Sequence, residues 1–286
     1  MEDNKHNEVK PDENSSNEEA HNEAQAPSAE APQQDPQKTE AAATEAPEPV
    51  SQSGAISSPF TALQAIILKP NSVFSTLKNT ANWSWVAFIF VTFFSVLPTW
   101  LYFNQIDMVW YSEMAVNLQM PDVSPSEKAQ AMQMMQNQAI GTFTAFFVAI
   151  GAIILNAIFA FYLSKITQMD EDNVLSFGDW YGFTWWATLP FAFIGILNTL
   201  IILMFGGPQM SPEYLSVFSL AFVLGISMES GWFGWAQGIG LDSLWIIYLT
   251  AVGISQWTKL SSRQCTIIAV APFAIIWGVW AFFLII

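Results

Sequence analysis

Beyond residue 57 the apolar positions gather into long runs separated by short polar stretches, whereas residues 1–57 hold no aromatic and very few large aliphatic side chains. A bilayer core calls for about 20 apolar residues in helical form. Five segments meet that demand without an internal Lys, Arg or Glu: Ser84–Phe103, Ala139–Ser164, Phe183–Phe205, Ile239–Trp257 and Cys265–Ile286. Only the fourth carries an acid, Asp242, near one end. Trp and Tyr mark the edges: Trp83, Trp85, Trp100 and Tyr102 for the first run, Trp180, Tyr181, Trp185 and Trp186 for the third, and Trp257 for the fourth. Such residues are expected as an aromatic belt at headgroup level. The pattern predicts an all-α membrane protein, a bundle of five transmembrane helices over residues 58–286 with a disordered tail over residues 1–57.

Shorter runs predict further elements. Tyr214–Ser227 is too short for a span and suits an interfacial or re-entrant helix, entered through Ser211, Pro212 and Glu213. In the loop 104–138, Ser124-Pro125-Ser126-Glu127 reads as a capping box. No Pro or Gly follows until Gly141, so that helix is expected to run straight into the second span. Met132, Met134 and Met135 could pack the extension against another loop, and a solvated helical lead-in is the reading preferred over a Met-based metal site. Before the first span, Phe60, Leu63, Ile66 and Ile67, then Val73, Phe74 and Leu77, follow helical spacing around Lys69-Pro70. These predict two amphipathic helices, lying in the interface with lysines toward phosphates or packed on the bundle.

Charge adds an orientation and divides the chain. Residues 1–57 carry thirteen Asp or Glu against three Lys and no aromatic side chain, too little apolar surface to offset the entropy of ordering. Lys69, Lys78, Lys165, Lys259 and Arg263 fall on one side of a five-span bundle, and only Lys128 on the other. The positive-inside rule then places the N-terminus in the cytoplasm and the C-terminus outside. A sixth span at Tyr214–Ser227 would put Lys259 and Arg263 outside, so the charges oppose it. The opening residues, MEDNKHNEV, lack the charge and apolar pattern of a cleavable signal peptide. The acidic tail should be repelled by anionic lipid and open to basic partners. No nucleic-acid partner is expected from such a balance.

Candidate chemistry is sparse. Both histidines, His6 and His21, lie in the tail, and Cys265 is the single cysteine. A zinc protease or a serine or cysteine mechanism therefore lacks its base. Gly238-Ile239-Gly240-Leu241-Asp242 has one residue more than the Gly-x-Gly-Asp of membrane aspartyl proteases, and the second intramembrane Asp is missing. No nucleotide loop occurs, so neither enzyme activity nor a cofactor is expected. Asp170-Glu171-Asp172 with Asp179 forms an acidic cluster that reads as a solvated loop. Gly141, Ala145, Ala149, Ala152, Asn156 and Ala160 make a small-residue stripe suited to close helix packing, with Asn156 bonding across the contact. Asp242 and Asn198 are the polar membrane candidates. Proline stands inside three spans, at Pro98, Pro190 and Pro272, which admits a transport reading.

Leu68-Lys69-Pro70-Asn71-Ser72-Val73-Phe74 before the first span resembles the proline-then-Phe entry of the Yip-one domain family, the Ypt/Rab-interacting membrane proteins. Ser176-Phe177-Gly178-Asp179 leading to Ala187-Thr188-Leu189-Pro190 is similar to it as well, as are Gly240-Leu241-Asp242-Ser243-Leu244-Trp245, Ala251-Val252-Gly253-Ile254 and Ser261. The resemblance covers residues 58–286 and implies a five-helix bundle with a cytoplasmic N-terminus. Eukaryotic members act in early secretory traffic and bind Rab-type GTPases, but their Asp-Leu-x-Gly-Pro motif is absent, and the chain looks closer to bacterial members. The expectation is a non-enzymatic inner-membrane protein acting by membrane organisation, or by partner contacts through the tail and the outer loop 104–138, with a homo-oligomer left open. A small permease or channel lined by Asp242, Asn156 and Asn198 is the alternative, and a vesicle-trafficking factor the second.

Overall fold

In the computed structural model, residues 56–137 and 139–286 are described, and they are helical with a single isolated β-bridge, Ser219 to Gly240. The disorder expected of the tail falls almost wholly outside the described residues. Two short helices come first, α1 (Pro59–Ala65) and α2 (Pro70–Leu77), each opened by a proline. Proline suits the first helical turn because its missing N–H has no partner there and its φ is already helical. Then follow α3 (Ser84–Gln105), a hairpin of α4 (Met108–Gln119) and α5 (Pro125–Met135), and α6 (Ala139–Ile166), which ends in a 3-10 turn at Thr167–Met169. Next come α7 (Phe177–Ala187) and α8 (Leu189–Phe205). The chain closes with α9 (Leu220–Leu224), α10 (Phe233–Gln237), α11 (Leu241–Trp257) and α12 (Ser262–Ile285).

Four stretches are long and apolar enough to cross a membrane: Ser84–Gln105, Ala139–Met169, Phe177–Phe205 and Ser262–Ile285. α11 has 17 residues, roughly 25 Å at 1.5 Å per residue, slightly short of a hydrocarbon core. The third stretch begins at Phe177, six residues before the expected Phe183, because Ser176 and Asp179 cap it reciprocally. It is two helices joined at Thr188, whose backbone leaves the helical region ahead of Pro190. A proline ring displaces the carbonyl one turn before it, which bends the helix there.

Contacts at the two ends give the direction of each element. α3 runs parallel to α7 and α8: Ser84 lies beside Gly182, Phe94 beside Gly195, and Gln105 beside Gly206. α6 runs antiparallel to α3, with Phe103 against Gly141. α11 opposes α7 and α8, since Phe183 meets Trp257 and Phe193 stacks on Trp245. α12 opposes α6: Tyr162 donates to the Ile268 carbonyl, and Phe159 meets Phe273. The α3–α8 crossing is the tightest of these. A Cβ at Gly195 would collide with the Phe94 carbonyl, so only glycine admits this approach. In lipid, helices gain nothing from hiding apolar surface from tails that are equally apolar, and close backbone contact supplies the attraction instead.

Several expectations are corrected. The helix from Pro125 does not continue into the second span. It stops at Gln136, and Asn137 accepts the Ala139 N–H at 3.0 Å, a local amide bond that starts a new helix instead of prolonging the old one. Gln136 reaches back to Ser112 at 3.2 Å and closes the α4–α5 hairpin. Tyr214–Ser227 is not one helix. It divides into a 3-10 turn at Pro212–Ser216 and the five residues of α9, ended by left-handed Gly225. The apolar faces of α1 and α2 turn into the bundle: Ala62, Ile66, Val73 and Phe74 are buried, while Phe60, Ile67 and Leu68 stay exposed. Of the expected aromatic belt, Trp85 and Trp100 are exposed, but Trp180, Trp185, Trp186 and Tyr102 are core residues.

Candidate functional site

The end of the bundle that holds α2, the start of α7 and the end of α11 is the most elaborately bonded part of the molecule. α2 and α11 cap each other. The Lys78 ammonium donates to the Trp257 carbonyl at 2.9 Å, and the Trp257 indole N–H donates to the Phe74 carbonyl at 2.8 Å. Trp257 is the last residue of α11, where a carbonyl lacks a helical partner and a cation is favoured by the helix dipole; the Phe74 carbonyl also accepts the Lys78 N–H within α2 at 3.2 Å, so the indole shares it. Gln256 donates to Asn71 at 3.0 Å beside them. Under these caps Phe74, Trp180, Phe183 and Trp257 interlock, with ring centroids 5.0 to 5.5 Å apart.

The same end carries the loop acids. The Lys259 backbone N–H donates to Asp170 at 2.8 Å, and its ammonium meets Asp172 at 2.7 Å. The hydrogen bond from Lys259, then its charge, holds the Asp172 carboxyl below the usual carboxylate range. Reciprocally, the hydrogen bond to Asp172 holds the Lys259 ammonium above the usual lysine range. Asp179 accepts from the Ser176 N–H and hydroxyl at 2.8 and 2.7 Å. The acidic cluster is thus spent on a loop clasp and a helix cap. Among the described residues no group of three or more His, Cys, Asp or Glu is placed to hold a metal.

Between the α2–α3 connection and α7 lies a groove of about 720 Å³. Its walls are aromatic, from Trp85, Phe88, Tyr181 and Trp185, with Ile153 of α6 on one side. Its rim is polar, from Lys78, Asn79, Asn82, Ser84 and Asp179. Asn82 takes a positive φ of 67°, turning the chain from α2 into α3 and so shaping this rim.

The residues singled out from sequence lie in different places. Asn156, 4% exposed, donates to Ala152 at 3.0 Å and accepts from the Thr188 hydroxyl at 3.2 Å, tying α6 to the bend between α7 and α8. Gly141 lies where α6 touches Phe103, Ala145 is buried and Ala149 half-buried. Asn198 is buried and donates to the Leu215 carbonyl at 2.8 Å, holding the Pro212–Ser216 turn against α8. Asp242 stands in the first turn of α11 and accepts from the Ser243 N–H at 2.9 Å. Asn156, Asn198 and Asp242 share no hydrogen-bond partner. The groove and the reciprocal caps escaped the sequence reading; the spacing Ser176-x-x-Asp179 is a capping signature that would have marked one wall.

An all-helical bundle with four membrane-length stretches, bonded through carbonyl caps and aromatic packing, defines a multi-pass integral membrane protein. A sequence model of the Yip1 domain matches residues 65–284, most of the chain, and the protein belongs to that family. Searches of curated proteins and of solved structures return no match.

Proposed function

We propose that this protein is a non-enzymatic inner-membrane member of the Yip1 domain family whose 58–286 domain crosses the bilayer five times. It acts by organising the membrane around it or by holding partners, through the tail 1–57 and the outer hairpin within 104–138. The observation that carries this reading is the gathering of Lys69, Lys78, Lys165, Lys259 and Arg263 at one end of elements that alternate in direction. The opposite end holds Lys128 alone among the bases, with seven acids from Asp107 to Asp242. Such an asymmetry favours a cytoplasmic base-rich end, hence N-terminus in and C-terminus out. α11 counts as a crossing because it joins the same two ends as its neighbours.

The channel alternative is supported less well, since Asn156, Asn198 and Asp242 each bond within a different packing contact. A reporter active only in the cytoplasm, fused after Ile286, is expected to be silent; activity there overturns the five-span reading. Crosslinking in the native membrane followed by copurification is expected to return specific protein partners, lost on deletion of residues 1–57. An Asp242→Ala variant that alters sensitivity to ions or small solutes while partners persist would favour transport instead.

A further inference from the structure

The groove beside the reciprocal caps combines aromatic walls with charged and polar lining residues, as a lipid site would. Its mouth lies at the base-rich end beside the Lys78–Trp257 bond, the level at which lysines and tryptophans meet headgroups. Toward the bilayer it is bounded by Trp85, 65% exposed on α3, and by Ile153 of α6, so it opens sideways to acyl chains. Its volume of about 720 Å³ falls within the range of small-molecule clefts.

The rim carries both signs of charge. Lys78 gives one donor to the Trp257 carbonyl, which fixes the position of its ammonium, and an ammonium has three donors in all. Asp179 also lines the groove and is held by the Ser176 cap, so its carboxylate keeps one place there. A fixed cation and a fixed anion on one rim complement a phosphate joined to an amine, whereas a purely anionic headgroup would meet Asp179 unfavourably. Asn79, Asn82 and Ser84 add neutral donors and acceptors around the same opening.

We propose that this groove binds one zwitterionic phospholipid, its phosphate on Lys78, its amine toward Asp179, and one acyl chain leaving past Trp85 and Ile153. The proposal deepens the reading of the chain as a membrane-embedded bundle and rests on it. The site would give a protein without chemistry a means of selecting the lipid next to it.

Native mass spectrometry of the full chain in mild detergent, with phosphatidylethanolamine and phosphatidylglycerol offered together, tests it. One retained phosphatidylethanolamine per chain is expected, preferred over the anionic lipid. Lys78→Gln removes a charge-assisted contact and is expected to weaken retention roughly tenfold. Gly178→Leu is expected to abolish it, because the position lines the groove and a Cβ there meets only the Ser176 hydroxyl at 3.6 Å. A melting curve in detergent shows whether the leucine variant is folded; if it is not, Lys78→Gln at its exposed site decides. Equal retention of the two lipids, or retention unchanged by Lys78→Gln, overturns the proposal. Should lipid selection fail while the Ile286 reporter stays silent and partners copurify, only this inference falls. An active reporter would instead sink the functional reading beneath it.

Discussion

At Thr188 the hydroxyl donates to Asn156 of a neighbouring helix while also lying within reach of the Thr184 carbonyl at 2.8 Å. This divided bond fixes how strongly the contact couples α6 to the bend. A double-mutant cycle of Asn156→Ala and Thr188→Ala, read from unfolding in mixed micelles, is expected to give a coupling of about 0.6 kcal/mol and no more than ~1.7 kcal/mol. Asp172 and Lys259 behave differently, being exposed and charged. Asp172's lowered pKa means that its contribution is present above the unfolded carboxylate value and lost as pH falls through the folded one. Lys259's raised pKa means that its contribution is present below the unfolded lysine value and lost as pH rises through the folded one. The clasp is therefore complete across the neutral range and opens at both extremes. NMR titration of Asp172→Asn is expected to bring the Lys259 ammonium down toward ordinary lysine, while an unmoved Lys259 would refute the pairing.

At the scale of elements, the long apolar runs were legible because lipid leaves the backbone few alternatives to an uninterrupted helix. The ends of these helices were legible where an aromatic residue marks the edge of the apolar run, as at Trp83 and Trp257. Hydrophobic periodicity did not show which face of each helix packs. α6 and α8 are apolar all round, so periodicity carries no sign of inside and outside. That is why Trp180, Trp185 and Trp186 read as an interfacial belt although all three are buried. The break at Asn137 was hidden for another reason: neither Pro nor Gly marks it, only an amide bonding two residues ahead. Of the candidate site, Lys78 and Trp257 were legible as an interfacial lysine and tryptophan, but their pairing joins residues 179 apart in sequence. The crossing of α3 and α8 yields a prediction of its own. Gly195→Leu drives a side chain into the Phe94 carbonyl and is expected to destabilise the bundle by about 1–3 kcal/mol, or to prevent its assembly. A variant as stable as the parent in detergent unfolding would mean that the two helices part without loss.

For the whole molecule, orientation can be read with the one native thiol left in place, since Cys265 is buried at 1% exposure. Ser126→Cys places a thiol on α5, at the end of the bundle assigned to the outside, and Ser72→Cys places one on α2, at the end assigned to the cytoplasm. An impermeant maleimide added to intact cells is expected to label the first and spare the second. The reverse pattern would invert the bundle. Labelling of both would indicate mixed orientations, in conflict with a base distribution of five against one.

The parallel partners α3 and α8 are separated by about 100 residues of chain, and α6 enters between them. At synthesis rates of roughly 5–20 residues per second, the first helix waits on the order of 5–20 s before its tightest neighbour leaves the ribosome. During that interval the notch over the Phe94 carbonyl faces lipid or whatever assists insertion. Formation of the α3–α8 contact thus waits on the third hydrophobic stretch, and a chain truncated before Phe177 would leave that notch unfilled.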